Sequence, residues 1–203
     1  ISNMVEGITA RRVREFGATG GKIMIYLRSD VPAANAANLA TLDAAVADYA
    51  AEDLLLVVEF LTYALPGESK EEYAAKTAEL IEGGSKLCLD HGAKLLKIPY
   101  PGSPEACAAI TALAGDVPWA VLSAGVDHET FVGQVETAMG AGASGVIAGR
   151  SLGGHRGVSR RQRPAAIRRG VRAADYRLAR VHPRGLLARR PHLRRSKRAR
   201  PAR

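Results

Sequence analysis

The sequence predicts an α/β protein made of repeated strand–helix units. Three observations carry this reading. Five short runs are almost continuously apolar, as expected of strands buried on both faces in a parallel sheet. Segments with apolar residues every three or four positions separate them, the period of a helix. The steps recur about every 25 to 40 residues, the scale of a βαβ unit.

Each element has its own local reason. Arg11 to Phe16 reads as the end of a helix preceding the first strand, Lys22-Ile23-Met24-Ile25-Tyr26-Leu27. Asn35 to Ala51 is rich in Ala and Leu, with Leu39, Leu42, Val46 and Tyr49 at helical spacing. Leu54 to Leu61 is the second strand, apolar except for Glu59. Ser69-Lys70-Glu71-Glu72 is a capping-box signal, and the helix it opens runs to His91 and stops at Gly92. Leu95 to Ile98 is the third strand. Ser103-Pro104-Glu105 opens a helix with proline in its first turn. Trp119 to Ser123 is the fourth strand, Asp127 to Gly142 the next helix, and Gly145 to Gly149 the fifth strand.

Either a (β/α)8 barrel or an open doubly wound sheet gives this alternation. The polar residues favour the barrel. Lys22, Glu59, Lys97, Ser123 and Arg150 each lie in or just after a different strand. A barrel brings such positions to one central mouth, whereas an open sheet spreads them along an edge.

Lys97 ends an apolar run and precedes the chain-breaking Pro99-Tyr100-Pro101-Gly102. An amine there is either a lysine that snorkels to water or one kept at a buried mouth. Burial disfavours the ammonium, and the neutral amine is the form that attacks a carbonyl. Glu59 interrupts an apolar strand, and a buried carboxylate needs a cation or a proton. Lys22 is a candidate partner, in a plain ion pair or in a site of two lysines and a glutamate suited to Schiff-base chemistry. Ser123-Ala124-Gly125 and Gly149-Arg150-Ser151 follow the fourth and fifth strands. Small residues expose backbone N–H groups and arginine adds a fork of donors, so the two suit a phosphate. Either tripeptide alone is also an ordinary turn.

The body resembles the class I aldolases of the tagatose-1,6-bisphosphate aldolase type, a group that includes sulfofructose-phosphate aldolase. The matching stretches are Gly21-Lys22-Ile23-Met24-Ile25-Tyr26, Val57-Val58-Glu59-Phe60-Leu61-Thr62-Tyr63, Leu95-Leu96-Lys97-Ile98-Pro99, Leu122-Ser123-Ala124-Gly125-Val126 and Gly145-Val146-Ile147-Ala148-Gly149-Arg150. They occur in family order over residues 1 to 152. The resemblance implies an incomplete (β/α)8 TIM barrel, with strands four to eight present and the first three absent. It also implies cleavage of a ketose phosphate to dihydroxyacetone phosphate and an aldehyde, with neither metal nor cofactor. By it, Lys97 forms the Schiff base and Glu59 carries protons during carbinolamine dehydration. Lys22 positions substrate and tunes Lys97 electrostatically. Ser123, Gly125, Gly149 and Arg150 hold the phosphate.

Charge divides the chain at the same place. Residues 1–152 hold 11 Lys and Arg against 19 Asp and Glu, a net −8, while residues 153–203 hold 18 against 1, a net +17. The family's final helix is replaced there by an Arg-, Ala-, Pro- and Gly-rich tail with the marks of disorder. The tail reads either as an arm binding nucleic acid unspecifically or, preferably, as out-of-frame translation of GC-rich DNA. The alternative function is accordingly a non-catalytic barrel remnant with a basic tail. His155, His182 and His192 lack metal-ligand spacing. The start at Ile1 reads as a fragment or a processed product. The two cysteines imply no disulfide framework, and no run reaches the ~18 apolar residues of a membrane span. A cytoplasmic protein is expected, with homo-oligomerisation through exposed barrel edges.

Overall fold

A computed structural model describes residues 5–148. Helix α1 (Ala10–Glu15) leads into strand β1 (Gly20–Tyr26), followed by α2 (Ala36–Ala51), β2 (Leu55–Leu61), α3 (Lys70–Asp90), β3 (Leu96–Ile98), α4 (Pro104–Ala114), β4 (Trp119–Leu122), α5 (His128–Gly140) and β5 (Gly145–Ile147). A short 3-10 turn, Pro32–Ala34, which the sequence reading did not separate from its loop, precedes α2. The five strands form one parallel sheet in the order β1-β2-β3-β4-β5. An open doubly wound sheet reverses its strand order at a switch point. No reversal occurs here, so the sheet is a singly wound arc of a (β/α)8 barrel, incomplete among the described residues. The basic tail, 153–203, read above as replacing a final helix, lies outside those residues.

The helix ends follow from local chemistry. Ser69 Oγ accepts from the Glu72 amide at 3.1 Å, and Glu72 Oε2 accepts from the Ser69 amide at 2.8 Å, completing the expected capping box. Ser103 caps α4 with Pro104 in the first turn. Gly92, just past α3, takes a φ of +84°, which costs a side-chain-bearing residue more than glycine.

Strand alternation divides the sheet into two faces. Ile23, Ile25, Val58, Phe60, Leu96, Ile98 and Val121 join the helices in one continuous core. The other face carries Lys22, Met24 and Tyr26, all exposed. It is the face that turns inward in a barrel; its exposure is greatest on β1 and falls toward Glu59, Lys97 and Ala120. A polar tie strengthens the far side: Trp119 Nε1 donates to Thr111 Oγ1 at 3.1 Å, and that hydroxyl donates to the Ala141 carbonyl at 2.7 Å. Among the described residues no helix is long and apolar enough to cross a membrane.

Helix α3 approaches β2 closely because Gly84 lacks a side chain. A Cβ at Gly84 would fall inside van der Waals contact of the buried Phe60 ring, next to Glu59 in sequence. Gly84→Ala is expected to destabilise the fold by about 1–3 kcal/mol through overpacking, although alanine is the better helix former by about 1 kcal/mol. Urea unfolding checks this, and a higher midpoint in the variant would contradict the close approach.

Candidate active site

The register of the sheet builds the site. Residues paired across a parallel ladder share a face, and one level runs Met24, Glu59, Lys97, Ala120, Gly145 across all five strands. Glu59 and Lys97 are therefore neighbours on the inner face. Lys97 Nζ donates to Glu59 Oε2 at 2.9 Å. Lys22 starts one level lower, paired with Val57, and its long side chain reaches the same oxygen at 2.8 Å. Among the described residues, all hydrogen bonds to the Glu59 side chain converge on Oε2.

The three groups differ in exposure. The Glu59 and Lys97 side chains are 10% and 14% exposed, while Lys22 is 45% exposed. Burial pushes the Glu59 carboxyl up, but the hydrogen bonds and charges of Lys22 and Lys97 outweigh it and hold the group below its ordinary value. Glu59 is thus an ionised carboxylate between two cations. On the other side of Lys97 the same level carries only Ala120 and Gly145, and nothing stands within 4 Å of where a Cβ would lie at Gly145. A charged pair thus flanks Lys97 on one side and two small residues, the buried Ala120 and then Gly145, on the other.

Ser123 follows β4 and is buried. The next two residues, Ala124 and Gly125, have φ values of +47° and +83°, and the Val126 amide closes the turn on the Ser123 carbonyl at 3.1 Å. A left-handed alanine is strained, and such strain concentrates at functional turns. The N-terminus of α5 is already occupied by its own acid. Asp127 Oδ1 accepts from the Thr130 amide at 2.9 Å and Oδ2 from the Thr130 hydroxyl at 2.6 Å. An anion at this end would meet the Asp127 carboxylate; in the turn before it, Ser123 is buried while Ala124 and Gly125 are exposed. Gly149 and Arg150 lie outside the described residues.

The sequence reading missed a second charged assembly. Arg28, two residues past β1, has a side chain with no exposed surface. Its Nε and Nη2 donate to the Asp30 carboxylate at 2.7 and 3.0 Å. Its Nη1 and Nη2 donate to Glu68 at 2.6 and 2.7 Å, and Nη1 also donates to the Tyr63 carbonyl at 2.5 Å. The guanidinium lies over the Tyr73 ring, and Lys76 adds a bond to Glu68 at 2.9 Å. Arg28 and Lys76 hold the Glu68 carboxyl well below the carboxylate range, and Arg28 does the same to a lesser degree for Asp30. Arg28, Asp30 and Glu68 lie in sequence stretches that look like exposed turns. The only signal was an arginine placed directly at the end of an apolar strand.

Other nucleophiles are poorly placed. Cys88 and Cys107 are free and buried on the helix side. Burial pushes the Cys88 thiol up to about 12, and burial with Glu105 nearby raises Cys107. Among the described residues no group of three His, Cys, Asp or Glu is arranged to hold a metal ion.

Comparison with known proteins gives four findings. A family model described as DeoC/LacD family aldolase matches residues 2–152. A fructose-bisphosphate aldolase class 1 of Halobacterium salinarum (strain ATCC 29341 / DSM 671 / R1) is 33% identical over 108 residues, which cover 52% of this chain and 38% of that protein. Among solved structures, an archaeal fructose-1,6-bisphosphate aldolase superposes with a TM-score of 0.61 at 24% identity, covering 74% of this chain and 58% of that one. A fructose-bisphosphate aldolase from Slackia heliotrinireducens DSM 20476 gives 0.57 at 25% identity, covering 70% and 46%. The chain thus spans 38% of the length of the curated relative and 58% of the archaeal structure.

The electrostatics of Glu59 have a consequence in acid. Its folded-state carboxyl holds a proton less readily than the ordinary value of 4.5 would give. The stability it contributes is complete above that pH and is lost as pH falls below it. Glu59→Gln is expected to cost about 1–3 kcal/mol near neutrality, with the gap from wild type closing as pH drops below 4.5. Urea unfolding across pH measures this. A gap that does not change with pH would contradict an ionised Glu59 between two lysines.

Proposed function

The chain belongs to the DeoC/LacD family of aldolases, and on that premise we propose that Lys97 is the Schiff-base lysine of a class I aldolase acting on a ketose phosphate. The observation that carries this reading is the convergence of Lys97 and Lys22 on one oxygen of Glu59, at the level that continues through the small residues Ala120 and Gly145.

The geometry supports a division of labour. Lys97 reacts as the neutral amine, its proton given up to solvent, with the Glu59 carboxylate 2.9 Å away. The amine attacks the substrate carbonyl carbon, the carbonyl oxygen takes a proton from solvent, and the new ammonium nitrogen passes one to Glu59, giving the carbinolamine. Glu59 then donates its proton to the departing hydroxyl, and water leaves as the iminium forms. Lys22 keeps hold of Oε2 throughout, so the carboxyl stays oriented while its proton moves. Cleavage of the next carbon–carbon bond sends its electron pair into the iminium, and the hydroxyl of the departing fragment gives its proton to solvent to become an aldehyde. Protonation of the enamine and addition of water release dihydroxyacetone phosphate and restore Lys97.

The phosphate of that half is assigned to Ser123 and Gly125, with Gly149 and Arg150 completing the cradle. The left-handed turn before α5, with Gly125 exposed, supports the first two. The positive charge of two lysines against one glutamate at the inner face also favours an anionic substrate. The named relatives are fructose-bisphosphate aldolases, while the motifs resemble the tagatose-1,6-bisphosphate and sulfofructose-phosphate enzymes. These sugars form the substrate panel.

Release of dihydroxyacetone phosphate from fructose 1,6-bisphosphate, tagatose 1,6-bisphosphate and sulfofructose phosphate tests the reading. At least one is expected to be cleaved, with Lys97→Ala abolishing turnover and Glu59→Gln lowering kcat by about 10²–10⁴-fold. Turnover retained by Lys97→Ala, or a folded wild-type chain inert toward all three, would contradict it.

A further inference from the structure

The buried guanidinium of Arg28 takes no part in the chemistry above, yet it joins the exits of the two strands that carry Lys22 and Glu59. From the β1 side, the Arg28 amide donates to Asn35 Oδ1 at 2.8 Å and Asn35 Nδ2 donates back to the Arg28 carbonyl at 2.9 Å, closing the loop before α2. From the β2 side, Tyr63 and Glu68 bind the guanidinium, and Glu68 Oε2 also accepts from the Leu65 amide at 2.9 Å, closing the loop before α3. The Tyr63 ring stands edge-on to Tyr26, whose side chain leaves β1 on the inner face one level above Glu59.

We propose that Arg28 is a positioning residue of this site: its guanidinium clamps the loop after β1 to the loop after β2 and so fixes the relative placement of the two strands that carry Lys22 and Glu59. A planar fork that binds two carboxylates and a carbonyl at once sets relative orientation as well as distance. With Lys76 the assembly holds two cations and two carboxylates, so it rigidifies the mouth without adding net charge beside an anionic substrate. Only the kinetic part of this inference rests on the aldolase reading.

Arg28→Lys in the full chain tests it, because lysine keeps the charge and loses the fork. Amide hydrogen exchange at Val31, Leu65 and Glu68, each hydrogen-bonded within these loops, is expected to quicken by about tenfold or more. The Leu96 amide, bonded to the Pro118 carbonyl in the sheet, is expected to stay unchanged. On a cleaved ketose phosphate, kcat is expected to fall about 10- to 100-fold while KM moves less than about threefold. Unchanged exchange in both loops would overturn the clamp, and faster exchange with kcat per folded molecule intact would overturn its positioning role. If the wild type has no turnover, the aldolase reading fails and the exchange result alone decides the clamp. If Arg28→Lys does not fold, Asp30→Asn removes one of the two carboxylates at the exposed side. It is expected to quicken the same amides by a smaller factor, and no change at all would overturn the clamp.

Discussion

A single carboxylate oxygen, Glu59 Oε2, organises the inner face of this sheet. A carboxylate in the middle of an apolar strand is costly unless cations neutralise it. The fold meets that demand from both neighbouring strands, with Lys22 reaching up from β1 and Lys97 lying directly opposite on β3. Two ammonium groups on one oxygen fix the separation of three strands at the level where the chemistry is assigned. They also make the two lysines unequal. Lys97 is mostly buried, whereas Lys22 is nearly half exposed.

The remaining architecture holds that arrangement in place. Ile23, Ile25, Val58, Phe60, Leu96 and Ile98 anchor the strands from the opposite face, and the gap left by Gly84 lets α3 sit against Phe60 directly behind Glu59. At the strand exits, the Arg28 assembly joins the two loops that border the site. Hydrophobic packing sets the depth of the site, and buried charge sets its lateral geometry. Both ends of the proposed proton path are therefore held by groups that the path does not consume.

Much of this was legible in the sequence for identifiable reasons. Apolar runs found all five strands, because parallel strands are covered on both faces and show little alternation. The Ser69–Glu72 box and the Ser103-Pro104 start gave helix boundaries, because capping chemistry is local. Glu59 and Lys97 were legible because a charge in an apolar strand requires an explanation. Register was not legible. The level shared by Glu59, Lys97, Ala120 and Gly145 depends on how strands slide past one another, and nothing local to Ala120 or Gly145 marks them as flanking the lysine. The burial of Arg28 was equally hidden, since its partners lie 2 and 40 residues away and each looks like a solvated turn residue. Where the sequence reading ran the fourth strand to Ser123, pairing stops at Leu122, because Ala124 and Gly125 turn the chain into left-handed backbone.

The central claim is that Lys97, held against Glu59, is the nucleophile and Lys22 its tether. Incubation of the chain with dihydroxyacetone phosphate, reduction with borohydride and peptide mass mapping test it directly. The account predicts a reduced adduct on the Lys97 peptide, dependent on the ligand and absent from the Lys22 peptide. An adduct on Lys22, or none on a chain shown to be folded, would contradict it.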